Sequence, residues 1–287
     1  MINLILGILF FNVILVAFKL FERFKVDNLQ AIIVNYVVAS SLGFYFSDIE
    51  APIQTALNSN WLYYALSIGV FFIVVFNLLA LGAQKVGLAI STVANKMSVI
   101  IPVVFAFIVM DNSISILKIT GILLALIGVY FTSTEGRKLS FDKQYLWLIL
   151  IIFFGQGVAD CIFQYAQHYH VPPEHAKIFL ASMFGAAFCT GIIMLSGKLI
   201  AKKSKLQAKS ILWGIILGIP NFLTVYYFFR ALESEVLEAT QVYPILNMGV
   251  IVLSALTGLL FFKEKLSRLN WMGVLLSILA IAAITFG

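Results

Sequence analysis

The sequence Ile-Leu-Leu-Ala-Leu-Ile-Gly-Val-Tyr-Phe at residues 122–131 decides the fold of this chain. It contains no charged side chain, and its apolar residues do not alternate with polar ones as they do in a half-buried strand. The run Leu146 to Phe154 has the same character. Inside lipid, a continuous apolar segment satisfies its backbone hydrogen bonds as a helix. Both runs therefore favour membrane-spanning helices over the strands of a barrel.

The composition of the whole chain also indicates a protein embedded in a bilayer. Of its 287 residues, 62% are hydrophobic and only 11% are charged, whereas a soluble domain carries roughly 25% charged residues. Because so few polar side chains cannot cover that much apolar surface in water, a water-soluble enzyme is excluded. Helices of about 20 residues each use most of the chain and leave no room for an extramembrane domain.

Apolar runs of spanning length predict an all-α membrane protein with ten transmembrane helices. The predicted spans are Ile2 to Phe18, Leu29 to Phe46, Trp61 to Leu81, Leu88 to Met110, Ile116 to Thr132, Leu146 to Tyr165, Ile178 to Leu195, Ile211 to Phe229, Leu237 to Phe262 and Leu269 to Phe286. We expect a multi-pass protein of the cell membrane.

The cations are distributed unevenly between the connections of these spans. Fifteen Lys and Arg residues lie in the odd-numbered connections and three in the even-numbered ones. Because positive residues mark cytoplasmic connections, the count predicts that the odd connections are cytoplasmic and that both termini lie outside. The basic stretch Lys198 to Lys209 lies on the same predicted side, so we interpret it as topogenic and not as a nucleic-acid site.

The two halves of the chain contain related junctions. Residues Met110 to Ser115 correspond to Phe262 to Ser267 with a constant offset of 152 residues. A five-helix unit crosses the membrane an odd number of times, so its second copy has the opposite orientation. We therefore predict two inverted five-helix repeats, residues 1–134 and 135–287, an architecture that many secondary transporters use for alternating access.

The segment Phe262-Lys263-Glu264-Lys265-Leu266-Ser267, with Gly273 after it and Ala231 to Pro244 before it, resembles the second repeat of the drug/metabolite transporter superfamily, in its ten-helix EamA-like branch. The resemblance covers the whole chain as two five-helix halves. It implies a small-molecule carrier of the bacterial inner membrane, often an exporter of metabolites or amino acids, with a central cavity. The chain departs from the family at Asn112, where a second glutamate is usual, and family members generally have cytoplasmic termini, opposite to the lysine count.

Two charged residues, Lys96 and Asp160, lie at membrane depth. At 1.5 Å per helical residue, Lys96 lies about 12 Å into span four and Asp160 about 21 Å into span six, measured from the same side. A charge at this depth needs a partner or a water-filled cavity. Either these residues line the substrate cavity and couple transport to protons or to substrate charge, or they form a structural ion pair between the repeats.

Polar side chains gather on the same segments. Gln156, Asp160 and Gln164 recur every four residues and therefore form one stripe on a helix face. Two tyrosines lie deep in span eight, Tyr226 and Tyr227. Either one of them stacks on an aromatic or cationic ligand, or both face lipid. The other candidates for substrate binding or coupling are Asn95, Glu238, Gln241 and Tyr243. The competing interpretation of such residues is hydrogen bonding between helices.

Two prolines lie inside equivalent spans of the two halves, Pro102 in span four and Pro244 in span nine. Each removes a backbone hydrogen bond and kinks its helix. Because paired interruptions in matching segments mark the binding site of many transporters, we expect the site near both prolines.

The connection between spans six and seven holds the imidazoles of His168, His170 and His175. Three imidazoles are able to bind Zn²⁺, but Pro172 and Pro173 restrict how they converge. A solvated loop without metal is therefore expected.

The motifs of enzymes and of ATP-driven pumps are absent from the sequence. It has no phosphate-binding loop and no nucleophile elbow, so no cofactor is expected. The alternative to a carrier is an intramembrane enzyme that uses Asp160 as acid or base. The expected partners are a small-molecule substrate, the lipid bilayer and protons as the coupling ion, with no nucleic acid and with a monomer or homodimer as the assembly.

Overall fold

A computed structural model describes residues 2–109, 115–135, 138–139, 141–202, 205–232 and 239–286 of the chain. Within these ranges, the side chains at 106–107, 133–135, 138–139, 229, 232, 239–245 and 285 lie outside the description.

Helices make up almost all of the described residues. They are α1 (Ile2–Arg23), α2 (Asn28–Tyr45), α3 (Pro52–Leu57), α4 (Leu62–Lys85), α5 (Leu88–Met97), α6 (Ile100–Val109), α7 (Ile116–Ser133), α8 (Leu146–Tyr169), α9 (Ala176–Ile200), α10 (Ala208–Leu232), α11 (Ala239–Phe262) and α12 (Arg268–Phe286), with 3₁₀ turns at Lys143–Tyr145 and Pro173–His175. Two short antiparallel strands, β1 (Thr134–Glu135) and β2 (Lys138–Leu139), follow α7. The prediction of an all-α membrane protein is confirmed.

Within the described ranges, six segments are long and apolar enough to cross a membrane by length and composition. They are Ile2–Arg23, Leu62–Lys85, Leu88–Phe105, Lys143–Tyr169, Pro173–Ile200 and Ala208–Phe228. Three shorter apolar helices follow the same pattern at Ile116–Thr132, Leu246–Phe262 and Arg268–Ile284. Together with α2, these segments correspond to the ten predicted spans, so the chain is a multi-pass membrane protein of about ten helices. The short helix α3, which starts at a proline as helices often do, was not predicted, because its six residues are too few for a membrane span.

The fourth predicted span consists of two helices instead of one. Helix α5 ends at Met97 and α6 begins at Ile100. The physical reason is Pro102, which lacks the N–H that would donate to the carbonyl of Ser98 and whose ring crowds that carbonyl. The carbonyl of Ser98 instead accepts from the N–H of Ile101 at 2.9 Å, and the hydroxyl of Ser98 donates to the carbonyl of Asn95 at 2.6 Å. By contrast, α11 is assigned as helix on both sides of position 244.

Backbone contacts divide the chain into two compact units. The first unit consists of Met1–Lys19, Leu78–Gly157 and Leu223–Gly287, and the second of Leu20–Asn77 and Val158–Phe222. Each unit therefore takes segments from both halves of the sequence. The division into repeats at 1–134 and 135–287 is a different partition and stays a prediction.

In the first unit, α7 packs along α12 through small residues. A Cβ atom added to Gly273 would overlap the backbone of Thr132, and one added to Gly128 would lie 2.6 Å from the hydroxyl of Ser277. The side-chain amide of Asn270 donates to the carbonyl of Thr132 at 2.8 Å and so satisfies the last turn of α7. These contacts hold the two helices at the short distance that glycine permits.

In the second unit, α2 packs along α9 in the same manner. Gly43 lies against Ala181, and the hydroxyl of Ser40 donates to the carbonyl of Ala181 at 2.8 Å. The side-chain amide of Asn221 on α10 donates to the side-chain oxygen of Asn35 at 3.0 Å. The polar residues Asn35 and Ser40 of α2 therefore serve helix packing.

Candidate functional site

Lys96 lies on the last turn of α5, in the first unit, and its side chain is partly buried. Its ammonium nitrogen lies 4.0 Å from the centroid of the Phe11 ring on α1. The negative face of an aromatic ring attracts a cation at this distance, and the attraction grows when water is excluded. The Phe11 ring therefore helps to hold a charge at membrane depth.

The neighbouring residue on α5, Asn95, is buried and bonded to α8. Its side-chain amide donates to Oε1 of Gln156 at 3.1 Å. Both residues are candidates from the sequence, and the structure brings them together within the first unit. This bond uses one donor of Asn95 and one acceptor of Gln156, which leaves their remaining amide atoms to other partners.

An aromatic pair lies on the same stretch of α1. The rings of Phe10 and Tyr227 are parallel within 3°, with centroids 5.6 Å apart. The candidate Tyr227, on α10, is therefore packed against α1 and is partly buried. The sequence analysis missed Phe10 and Phe11, because nothing distinguishes them from the other phenylalanines among the 26 in the chain.

Two further polar residues of α5 are fully buried. Ser91 and Thr92 are 0% and 1% exposed, and their hydroxyl oxygens have no hydrogen-bond partner among the described residues. Polar groups therefore extend along α5 from Ser91 to Lys96. The feature of the sequence that could have revealed these two residues is the Ser91-Thr92 pair, which lies one helical turn before Asn95 and Lys96.

Asp160 and Gln164 lie further along α8, in the part that belongs to the second unit. Both are partly buried, and Oε1 of Gln164 is buried without a hydrogen-bond partner among the described residues. Since α8 is one continuous helix, Gln156, Asp160 and Gln164 share a face of it. The predicted pairing of Asp160 with Lys96 joins residues of different units and stays a prediction.

The remaining candidates lie in or beside the start of α11. Glu238 lies outside the described residues, and Gln241 and Tyr243 lie on helical backbone whose side chains are outside the description. Position 244 has the same status, whereas Pro102 is buried in α6. The roles predicted for these five residues stay predictions.

The histidines after α8 are engaged with aromatic side chains of the second unit. Nε2 of His170 lies 3.0 Å from the hydroxyl of Tyr64, and the indole N–H of Trp61 donates to Nδ1 of His175 at 3.3 Å. Within the described residues, no group of three His, Cys, Asp or Glu side chains lies close enough to hold a metal ion. This segment packs α4 against the chain that leads into α9.

A charged cluster that was not predicted from the sequence lies at the start of α5 in the first unit. Oε1 of Glu264, in the connection between α11 and α12, lies 2.9 Å from Nζ of Lys19 at the end of α1. Both oxygens of Glu264 also accept from the backbone N–H of Leu88, at 2.9 and 3.0 Å. Because Leu88 is the first residue of α5, the carboxylate lies where the helix dipole favours a negative charge. The side chain of Lys19 is only 19% exposed, and that of Glu264 is 13% exposed.

The same cluster includes the last turn of α4. Nζ of Lys19 donates to the carbonyl of Ala83 at 2.8 Å, and the side-chain amide of Gln84 donates to the carbonyl of Phe18 at 2.8 Å. The first bond satisfies a carbonyl in the last turn of α4, and the second ties the end of α4 to α1. A cavity of about 220 Å³ lies beside the cluster, with Lys85 and Lys265 in its wall.

Two family models match the chain. The model of the EamA-like transporter family matches residues 1–134, and that of the Sugar transport protein family matches residues 103–286. A protein of Haemophilus influenzae is 31% identical over 288 residues, which cover 97% of this chain and 96% of the relative. A crystal structure that is 13% identical superposes with a TM-score of 0.58 and covers 99% of this chain and 96% of its own. At that identity, the structural match shows a shared fold.

Proposed function

Since the chain belongs to the drug/metabolite transporter superfamily, with an EamA-like first half and a later part that matches the Sugar transport protein family, we propose that it is a secondary active transporter. Its substrate is a small metabolite, an amino acid, a sugar or a drug-like molecule, which it exports by alternating access. The apolar helices and the Haemophilus influenzae relative indicate a multi-pass protein of a bacterial inner membrane.

The observation that carries this proposal is the packing of helices that lie five spans apart in the sequence. Span five packs on span ten (α7 on α12), span two on span seven (α2 on α9), and span four on span nine (α5 on α11). When two inverted repeats are related by a pseudo-twofold axis in the membrane plane, helices near the axis meet their own copies. The pairing therefore supports an inverted repeat, and with it alternating access.

The helix bounds support the same relation. An offset of 152 residues moves Ile116–Ser133 to 268–285, and α12 is Arg268–Phe286. The junction sequences give the same offset. An origin in one duplicated five-helix unit accounts for both agreements.

We assign substrate binding to the polar and aromatic residues of the first unit. Asn95 and Gln156 offer amide groups, and Phe11 and Tyr227 offer aromatic faces. A small polar molecule with one apolar face, such as a sugar ring or an amino acid, suits such a mixture of groups.

Coupling is assigned to Lys96 and Asp160, which belong to different proposed repeats. A contact that forms in one state and opens in the other changes the energy difference between the two states. Titration of Asp160 then links that difference to protons. Export thus depends on the proton gradient in this proposal.

The proposal is tested by a thermal-shift screen of the purified protein over amino acids, sugars, nucleotides and cationic drugs, followed by counterflow in liposomes. The expected result is that a ligand which raises the melting temperature also accumulates in the liposomes chemically unchanged. A chemically altered product would contradict the carrier and favour the alternative, an intramembrane enzyme with Asp160 as acid or base.

A further inference from the structure

We propose that Glu264 is a latch, whose carboxylate holds the junction between α4 and α5 through Lys19 and the N–H of Leu88 and must release them in each transport cycle. The inference rests on the proposed function, because a latch has a role only in a protein that changes conformation. It adds an element outside the residues assigned to substrate and coupling.

The first argument is the construction of α5 as a short rod between two breaks. At its start, the chain turns at Gly87, whose φ of +126° is accessible to glycine. At its end, the helix stops at Met97 before α6 begins at Ile100. Because Asn95 and Lys96 lie on this rod, any movement of its start changes the position of both side chains.

The second argument is that the carboxylate fixes the start of the rod. Leu88 follows Gly87 directly, so its bond to Glu264 restrains the residue on which the helix turns. Glu264 also pairs with Lys19 at the end of α1, and Lys19 in turn donates to the carbonyl of Ala83 in the last turn of α4. The side chain of Glu264 therefore links the connection between α11 and α12 to α1, α4 and α5. Its release frees the start of α5.

The third argument is that the carboxylate of Glu264 fits closely between two glycines and has space beside it into which it can move. A Cβ atom added to Gly258 would lie 2.6 Å from Oε2 of Glu264, and one added to Gly87 would lie 3.3 Å from it, so both glycines make room for the carboxylate. The neighbouring cavity of about 220 Å³, with Lys85 and Lys265 in its wall, gives the released carboxylate space and a cationic surface. A carboxylate that moves from one set of polar partners to another costs less free energy than one that moves into hydrocarbon.

The fourth argument is an asymmetry between the halves. The offset of 152 residues aligns Asn112 with Glu264 in the sequence, and Asn112 lies outside the described residues. Asparagine is neutral and forms weaker hydrogen bonds than a carboxylate does. The residue aligned with Glu264 in the sequence is therefore a neutral amide, so the second junction has a carboxylate at this position where the first has asparagine.

The test is hydrogen exchange by mass spectrometry on the full-length protein in lipid nanodiscs. Glu264→Gln is compared with Asp48→Asn, which breaks an exposed ion pair with Lys177 in the second unit, where the Asp48 side chain is 84% exposed. In Glu264→Gln, exchange of the amides at 88–90 is expected to rise about tenfold. Exchange across α7 and α12 stays at the wild-type level, which separates release of the latch from general unfolding.

Lys19→Gln provides a second variant if Glu264→Gln fails to fold. It keeps the carboxylate on the N–H of Leu88, so exchange at 88–90 is expected to lie between the values of Glu264→Gln and Asp48→Asn. Wild-type exchange at 88–90 in both Glu264→Gln and Lys19→Gln would overturn the latch.

Transport gives an independent readout. Without its latch, the carrier still equilibrates a substrate downhill in liposomes but no longer accumulates it against a gradient. Retained uphill accumulation in Glu264→Gln would overturn the inference. If the wild-type protein moves no ligand, the proposed function fails, whereas the exchange experiment still decides whether Glu264 restrains α5.

Discussion

Asn95 on α5 donates a hydrogen bond to Gln156 on α8 across 3.1 Å. The two residues belong to different proposed repeats, residues 1–134 and 135–287, yet they lie in the same compact unit. An amide pair in an apolar bundle is stable because each partner satisfies a group that lipid would leave unpaired. The bond also joins Asn95, the residue before Lys96, to a helix of the second half.

A double-mutant cycle measures the strength of this bond. Asn95→Ala, Gln156→Ala and the double variant are expected to show a coupling of about 0.6 kcal/mol, with about 1.7 kcal/mol as the upper end for such bonds in membranes. The measurement is the free energy of unfolding in detergent micelles. Strictly additive effects of the two substitutions would show that the bond contributes nothing to stability.

The contact of Lys96 with Phe11 gives a second prediction. Phe11→Leu keeps an apolar side chain but removes the ring, so the protein is expected to lose about 0.5–2 kcal/mol of stability. Phe11→Tyr keeps the ring and is expected to behave like the wild type. Thermal denaturation with both variants checks this, and equal melting temperatures for the two variants would speak against a role for the ring.

The tight packing of α7 on α12 gives a third prediction. Gly273→Ala introduces a Cβ atom against the backbone of Thr132, so we expect a loss of about 1–3 kcal/mol from overpacking. Gly197→Ala on α9 is the matched control, because a Cβ atom there meets nothing within 4 Å. That control is expected to be neutral or more stable by about 0.5–1 kcal/mol. Equal unfolding free energies for the two variants would refute the close approach of these helices.

The apolar spans could be read from the sequence because the bilayer imposes length and hydropathy on each helix. The prediction Ile116 to Thr132 differs by one residue from α7, and Leu269 to Phe286 by one residue from α12. The break after Met97 could not be predicted, because a proline identifies the carbonyl that loses its partner but not whether the helix stops there; α10 continues through Pro220. The break lies one turn before Pro102, where the missing bond would have been.

The candidate site was only partly visible in the sequence. Asn95, Lys96 and Gln156 stood out because polar residues are rare in apolar spans, and the structure brings partners to each of them. The pairing of Lys19 with Glu264 was not predicted, since it joins positions 245 residues apart: Lys19 was counted among the topogenic cations, and Glu264 was noted only in the segment that resembles the family. Long-range pairs of this kind leave no local pattern.

Transport by protein in which Asp160 is replaced tests the central claim most directly. The wild-type protein and Asp160→Asn are reconstituted in liposomes, and uptake of the ligand found by thermal shift is followed with and without a pH gradient. We predict that Asp160→Asn folds, as judged by its melting temperature, but that its transport is abolished or no longer responds to pH. Wild-type rates with wild-type pH dependence in Asp160→Asn would contradict the account.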